Sequence, residues 1–151
     1  MIKRFGINFE YYSQKNITMK NIFLFLFVLF LGTSVQAQRV QSSSYSTMYY
    51  ISSDGKIQDS SYRTLGYIND SRIQDSSYKT IGYVKDGKIQ DSSYRTVGYI
   101  DKDGKVQDSS YRTLGYIDKD GRVQDSNYRT LGYASGVKRE WVAVVFFFFQ
   151  M

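Results

Sequence analysis

Residues 108–133 read DSSYRTLGYIDKDGRVQDSNYRTLGY, one phrase stated twice within 26 residues. Asp-Ser-Ser-Tyr supplies turn formers, with Asp suited to the first turn position. Arg-Thr-Leu-Gly-Tyr-Ile is rich in β-branched and aromatic residues and reads as a strand. Asp-Lys-Asp-Gly is a second turn, in which Gly permits the positive φ that tight hairpins require. A short alternating strand, Arg-Val-Gln-Asp, then leads back into the first turn.

Working outward, the phrase begins at Lys56, Arg72, Lys88, Lys105 and Arg122, a spacing of 16, 16, 17 and 17 residues. The one-residue difference falls in the Asp-Gly turn, shortened to Lys85–Gly87, where strand register survives it. An imperfect copy, RVQSSSYSTMYYI from Arg39, comes first, with Ser42 in place of Asp and Tyr49 in place of Gly. Atypical terminal copies are usual in repeat proteins because an end copy has one neighbour instead of two. The units run 39–55 (partial), 56–71, 72–87, 88–104, 105–121 and 122–136.

Repetition has a physical cause. Ordering one residue costs about 1–2 kcal/mol, and a unit of 16 residues with three aliphatic side chains and two tyrosines cannot return that alone. Isolated hairpins are marginal in water, so copies must bury one another. In the second strand, simple alternation puts Leu65 and Tyr67 on one face and Thr64, Gly66 and Ile68 on the other. Gly66 then leaves a gap for a neighbouring ring, such as a repeat tyrosine, to cover. Near-identity of the copies implies near-identical surroundings, which favours a closed pseudo-symmetric ring over an open stack. With no Pro in the chain and no helical periodicity after residue 37, the expected class is all-β.

The flanks differ from the repeats. Residues 19–37, MKNIFLFLFVLFLGTSVQA, combine a Lys, ten apolar residues from Ile22 to Leu31 and small residues at Val35 and Ala37. That is the layout of a secretory signal peptide. Ten apolar residues fall short of the roughly 20 that a spanning helix needs. Residues 1–18 are expected to be a lead upstream of the functional start at Met19, and residues 38–151 to be a single exported β-repeat domain. The tail 137–151 carries nine consecutive apolar residues, Trp141–Phe149, and is expected to be a buried strand closing the ring; the alternative is a sticky end for a partner or membrane surface.

Composition excludes many activities. There is no His and no Cys, which removes thiol nucleophiles, Ser-His-Asp triads and His- or Cys-based metal sites. Of 20 basic and 14 acidic residues, four and one precede Gln38, leaving 16 and 13 spread along the repeats. Nucleic-acid binding wants a clustered basic face. The column Asp59, Asp75, Asp91, Asp108 and Asp125 is unsuited to glycoside hydrolysis, which needs two carboxyls in differing environments; turn capping explains it. Asp101/Asp103 and Asp118/Asp120 resemble calcium-loop fragments, but the 12-residue pattern with its final Glu is missing. The basic column Arg63, Lys79, Arg95, Arg112 and Arg129 is expected to be solvated beside acidic neighbours.

The leading site candidates are tyrosines: Tyr62, Tyr78, Tyr94, Tyr111 and Tyr128, with a second column at Tyr67, Tyr83, Tyr99, Tyr116 and Tyr133. Tyr offers an apolar body with a hydroxyl handle, suited to stacking on sugar or peptide, and repeated sites add avidity. At least one column is expected to serve packing. No catalytic residue, metal or cofactor is expected. The expected role is a non-catalytic binding module for a glycan or an envelope protein, the alternative being a structural cell-envelope component docking through its tail.

The repeated QDSSYRTLGYI unit, the leading apolar segment and the tail VKREWVAVVFFFF together resemble the five-fold β-flower family of small exported bacterial proteins. The resemblance spans about Gln38 to Phe149. It implies a ring of short hairpins about a pseudo-five-fold axis and brings no catalytic residues with it.

Overall fold

A computed structural model of the chain describes residues 37–149, so the expected leader and export signal lie outside the described residues. Each copy forms a hairpin. In chain order these are β1 (Gln38–Ser42) with β2 (Thr47–Ile51), β3 (Lys56–Asp59) with β4 (Thr64–Asn69), and β5 (Arg72–Asp75) with β6 (Thr80–Lys85). They continue as β7 (Lys88–Asp91) with β8 (Thr96–Ile100), β9 (Lys105–Asp108) with β10 (Thr113–Ile117), and β11 (Arg122–Asp125) with β12 (Thr130–Tyr133). Neighbours pair antiparallel all round, and β1 pairs with β12 to close the barrel. The ring of short hairpins expected from the repeats is present. It contains six hairpins instead of the five of the expected pseudo-five-fold ring, because the partial first copy folds like the five regular ones.

The two turn types share one device. Asp59 O accepts from Tyr62 N at 3.0 Å, and Asp59 Oδ1 accepts from the backbone N–H of Ser61 at 2.9 Å and of Arg63 at 3.0 Å. Asp101 does the same for Asp103 and Lys105 in the Asp-Gly turn, at 3.0 and 2.9 Å. Turn capping therefore accounts for both aspartate sets. In the first copy Ser42 substitutes with one bond, from Ser46 N to its Oγ at 3.2 Å.

Strict alternation fails in one place. Ile57 pairs with Gly66 but Gln58 pairs with Thr64, so Leu65 is an extra residue in a β-bulge. The bulge turns Leu65 toward the core instead of leaving it beside Tyr67, and Ile81, Val97 and Leu114 follow suit. The buried inner wall is built from Ile and Val at two levels, Ile57, Ile73 and Ile89 on first strands and Ile51, Ile68 and Ile117 on second strands being fully buried.

The tail corrects the sequence expectation. It is not a closing strand. Arg139–Ala143 form a short α-helix, α1, continued by a π-helical turn over Val144–Phe148, and Trp141–Val145 are buried in the same core as the wall. Because β1 already satisfies β12, the closed barrel offers no free strand edge. A helix bonds its own backbone, and one that is apolar on all sides belongs in an interior. Its start is tied to the wall: Gly87 N–H donates to Glu140 Oε1 at 2.8 Å, and Arg139 Nη1 donates to the Lys102 carbonyl at 2.8 Å.

The four phenylalanines occupy four of the five second-strand glycine gaps. Phe146 lies against Gly132, Phe147 against Gly115, Phe148 against Gly98 and Phe149 against Gly82. Consecutive tail residues thus meet consecutive second strands around the ring. An α-helix turns about 100° per residue, too fast for a six-unit ring whose units recur every sixth of a turn. The wider i→i+5 helix turns less per residue, and the Phe149 N–H bond to Val144 O at 2.9 Å is of that type. The rings filling these gaps come from the tail, not from the repeat tyrosines.

The candidate tyrosine surface

The five candidates Tyr62, Tyr78, Tyr94, Tyr111 and Tyr128 occupy equivalent positions, and the first copy adds Tyr45. All six close the Ser-Ser turn at φ 62–63°, the left-handed region. Such a backbone costs a non-glycine residue about 1–2 kcal/mol. Each of these residues is nevertheless 63–64% exposed.

Each turn tyrosine lies on a second-column ring of the preceding hairpin. Tyr62 stacks on Tyr50, Tyr78 on Tyr67 and Tyr94 on Tyr83, with centroids 4.7, 4.5 and 4.4 Å apart. Tyr111 stacks on Tyr99 and Tyr128 on Tyr116, at 4.9 and 4.7 Å. Tyr45 on Tyr133, at 4.7 Å, joins the first hairpin to the last. Every seam between hairpins therefore carries one stacked pair, planes within 14° of parallel. Both columns take part in packing, and one face of each turn ring stays available.

A residue type not weighed from the sequence holds the turn rings in place. Gln58 Nε2 donates to Tyr62 O at 2.6 Å, and Gln41, Gln74, Gln90, Gln107 and Gln124 repeat the bond at 2.6–2.8 Å. The signal was present, since Gln stands four residues before this Tyr in all six copies. Arg63, Arg95, Arg112 and Arg129 pair with Asp59, Asp91, Asp108 and Asp125 at 2.7–3.0 Å. These exposed pairs leave the turn cations partly neutralised and add little to stability.

Within the stacks the hydroxyls meet. Tyr62 Oη donates to Tyr50 Oη at 3.3 Å and Tyr128 Oη to Tyr116 Oη at 3.2 Å. The hydroxyl–hydroxyl bond raises one phenol in each stack above its ordinary value: Tyr62, Tyr67, Tyr83, Tyr111, Tyr128 and Tyr133. For Asp59, Asp91 and Asp108, burial pushes upward, but turn N–H groups and the adjacent guanidinium together hold the carboxyls below their usual range. The signs set two pH limits. A raised phenol favours the neutral form in the fold, so its contribution is present below about pH 10 and is lost as pH rises through the higher folded value. A lowered carboxyl contributes above about pH 4 and is lost as pH falls through its folded value. Tyrosinate absorbance of the native protein should therefore rise at higher pH than in 8 M urea (about the strength that unfolds small domains). Coincident titrations would contradict the bonded stacks.

Among the described residues no group of three or more Asp or Glu side chains is placed to hold a metal ion, and no helix is long and apolar enough to cross a membrane. No curated protein and no solved structure matches the chain. A family model described as 5-fold beta-flower protein matches residues 37–150. Twelve short strands in hairpins, closed into one antiparallel ring over that same span, agree with it, and the chain belongs to the 5-fold beta-flower family.

Proposed function

We propose that this protein is an exported, non-catalytic binding module that holds glycans on its tyrosine wall. The observation that carries this reading is the set of six turn tyrosines kept at positive φ with an open ring face. A stacked aromatic pair gains about 0.5–1.5 kcal/mol, which does little more than offset the left-handed backbone, at about 1–2 kcal/mol. Glycine would fill that backbone position without strain. What the tyrosine adds is a rigid, backed aromatic platform, repeated around the ring, and multivalent ligands gain avidity from such repetition.

An assembly role through the tail is less well supported, because Trp141–Val145 would have to leave the barrel core to dock elsewhere. The signal-peptide layout of residues 19–37 supports export.

The test is binding of the purified protein to an array of host and microbial glycans, with Tyr78, Tyr94 and Tyr111 replaced together by Gly. Glycine is the right replacement: alanine would keep the strained backbone and lose the stack. Saturable binding is expected, weakened at least tenfold in the triple variant because avidity falls faster than site number. Silence across the array from folded protein would overturn the glycan reading.

A further inference from the structure

The seam that closes the ring differs from the others. β1 and β12 pair through two residues, Gln41 with Tyr133 and Ser42 with Gly132, whereas every other seam between hairpins pairs through three or four. Elsewhere a tight turn, Asp-Gly at four seams and Asp70-Ser71 at the fifth, ties the two strands together. Here β12 instead runs through Ser135 and Gly136 into the central helix, so no turn holds it against β1. The strands part below Gln41, leaving a cleft of about 480 Å³ lined by Gln38, Arg39, Gln41, Tyr50, Tyr133 and Ser135, with Ala37 at its margin. That is within the range of roughly 300–1,000 Å³ typical of small-molecule sites.

The lining has a consistent chemistry. Tyr50 and Tyr133 are each backed by a stacked partner, Tyr62 and Tyr45, which fixes their orientation. Arg39, cross-strand partner of Tyr50, makes no ion pair among the described residues; of its counterparts in the other hairpins only Arg122 does, with Asp118 at 3.0 Å. No acidic side chain lines the cleft, and its one aliphatic residue is Ala37. A guanidinium matches a carboxylate through two parallel hydrogen bonds. The side chains of Gln38 and Ser135 offer the mixed donors and acceptors that sugar hydroxyls need.

We infer that the closing-seam cleft is a binding site for an acidic saccharide, with a uronic-acid carboxylate on Arg39 and the sugar ring against Tyr50 and Tyr133. The assignment rests on the glycan-binding reading above and narrows it to one ligand class and one privileged site. An acidic peptide would also satisfy Arg39, but the cleft lacks the aliphatic pocket that peptide side chains use.

Isothermal titration of the purified protein with an oligogalacturonate and with its carboxyl-reduced neutral form tests this. One tight site per chain is expected for the acidic form, with at least tenfold weaker binding of the reduced form. Arg39→Gln should abolish that difference and flatten its salt dependence, Arg39→Lys should restore part of it, and Lys88→Gln at an ordinary seam should change nothing. Equal affinity for the two forms would overturn the acidic assignment while leaving glycan binding standing. An equal loss in Lys88→Gln would overturn the privileged seam, and equal capture of a poly-glutamate peptide would overturn the saccharide. Binding of neither oligosaccharide, together with a silent array, would bring down both readings.

Discussion

Truncation after Ala143 is expected to leave a chain that no longer unfolds cooperatively. The cut removes Val144 and Val145 from the middle of the core, together with the four phenylalanines packed against it. Each fully buried Val contributes about 1.5–3 kcal/mol, and the partly buried rings bring the loss to the order of 10 kcal/mol by large-to-small precedent. Net stabilities of small domains are only about 5–15 kcal/mol. The wall would keep its hairpin turns but lose the surface its inner face packs on. Thermal unfolding followed by near-UV circular dichroism, with dye binding to exposed apolar surface, would show a broad transition and a bright dye signal. A sharp transition within a few degrees of the intact protein would mean that the wall stands without the π-helical turn and its phenylalanines.

Gly98→Val is expected to cost about 3 kcal/mol or more, beyond the usual overpacking penalty. A Cβ at Gly98 would collide with the Phe148 ring and with the Gln107 carbonyl of the next hairpin. The ring can move; the carbonyl, fixed in the barrel ladder, cannot. Combining the substitution with Phe148→Ala should therefore recover part of the loss, with a coupling of about 1–3 kcal/mol between the two positions. Urea unfolding of the two single variants and the double variant measures that coupling. Strict additivity would show that Gly98 is not kept bare for the ring.

These two results depend on features of unequal visibility in the sequence. The glycine in the second strand of each regular copy was plain, and so was its need for a covering ring, but the ring's source was not. Periodicity points to tyrosine, which recurs in register with the glycine, whereas Phe146–Phe149 recur at single-residue steps in a segment outside the repeat. A nine-residue apolar run fits a buried strand or an all-apolar helix equally well. Only the absence of a free edge, once β1 met β12, decides between them.

The tyrosine surface was legible as two columns, since each copy carries both residues. Their stacking was not, because it joins the turn of one hairpin to the strand of the hairpin before it and so crosses the boundary of the repeating unit. Tyr45 was hidden for another reason. The first copy lacks the Asp and the Gly of the unit, yet it keeps Gln41, Tyr45 and Tyr50, the residues that make the stacks at its two seams.

From sequence alone came everything that acts within one unit: two short strands, an Asp-capped turn joining them, the tyrosine columns, and the need for copies to bury one another. Those are local properties of turn chemistry and alternation, and each copy restates them. Tertiary structure alone decided how many hairpins close the ring, what fills its centre and where the ring is weakest. Those depend on the two chain ends, which occur once, and on whether a strand edge is left over after closure, a property of the whole barrel and of no single segment.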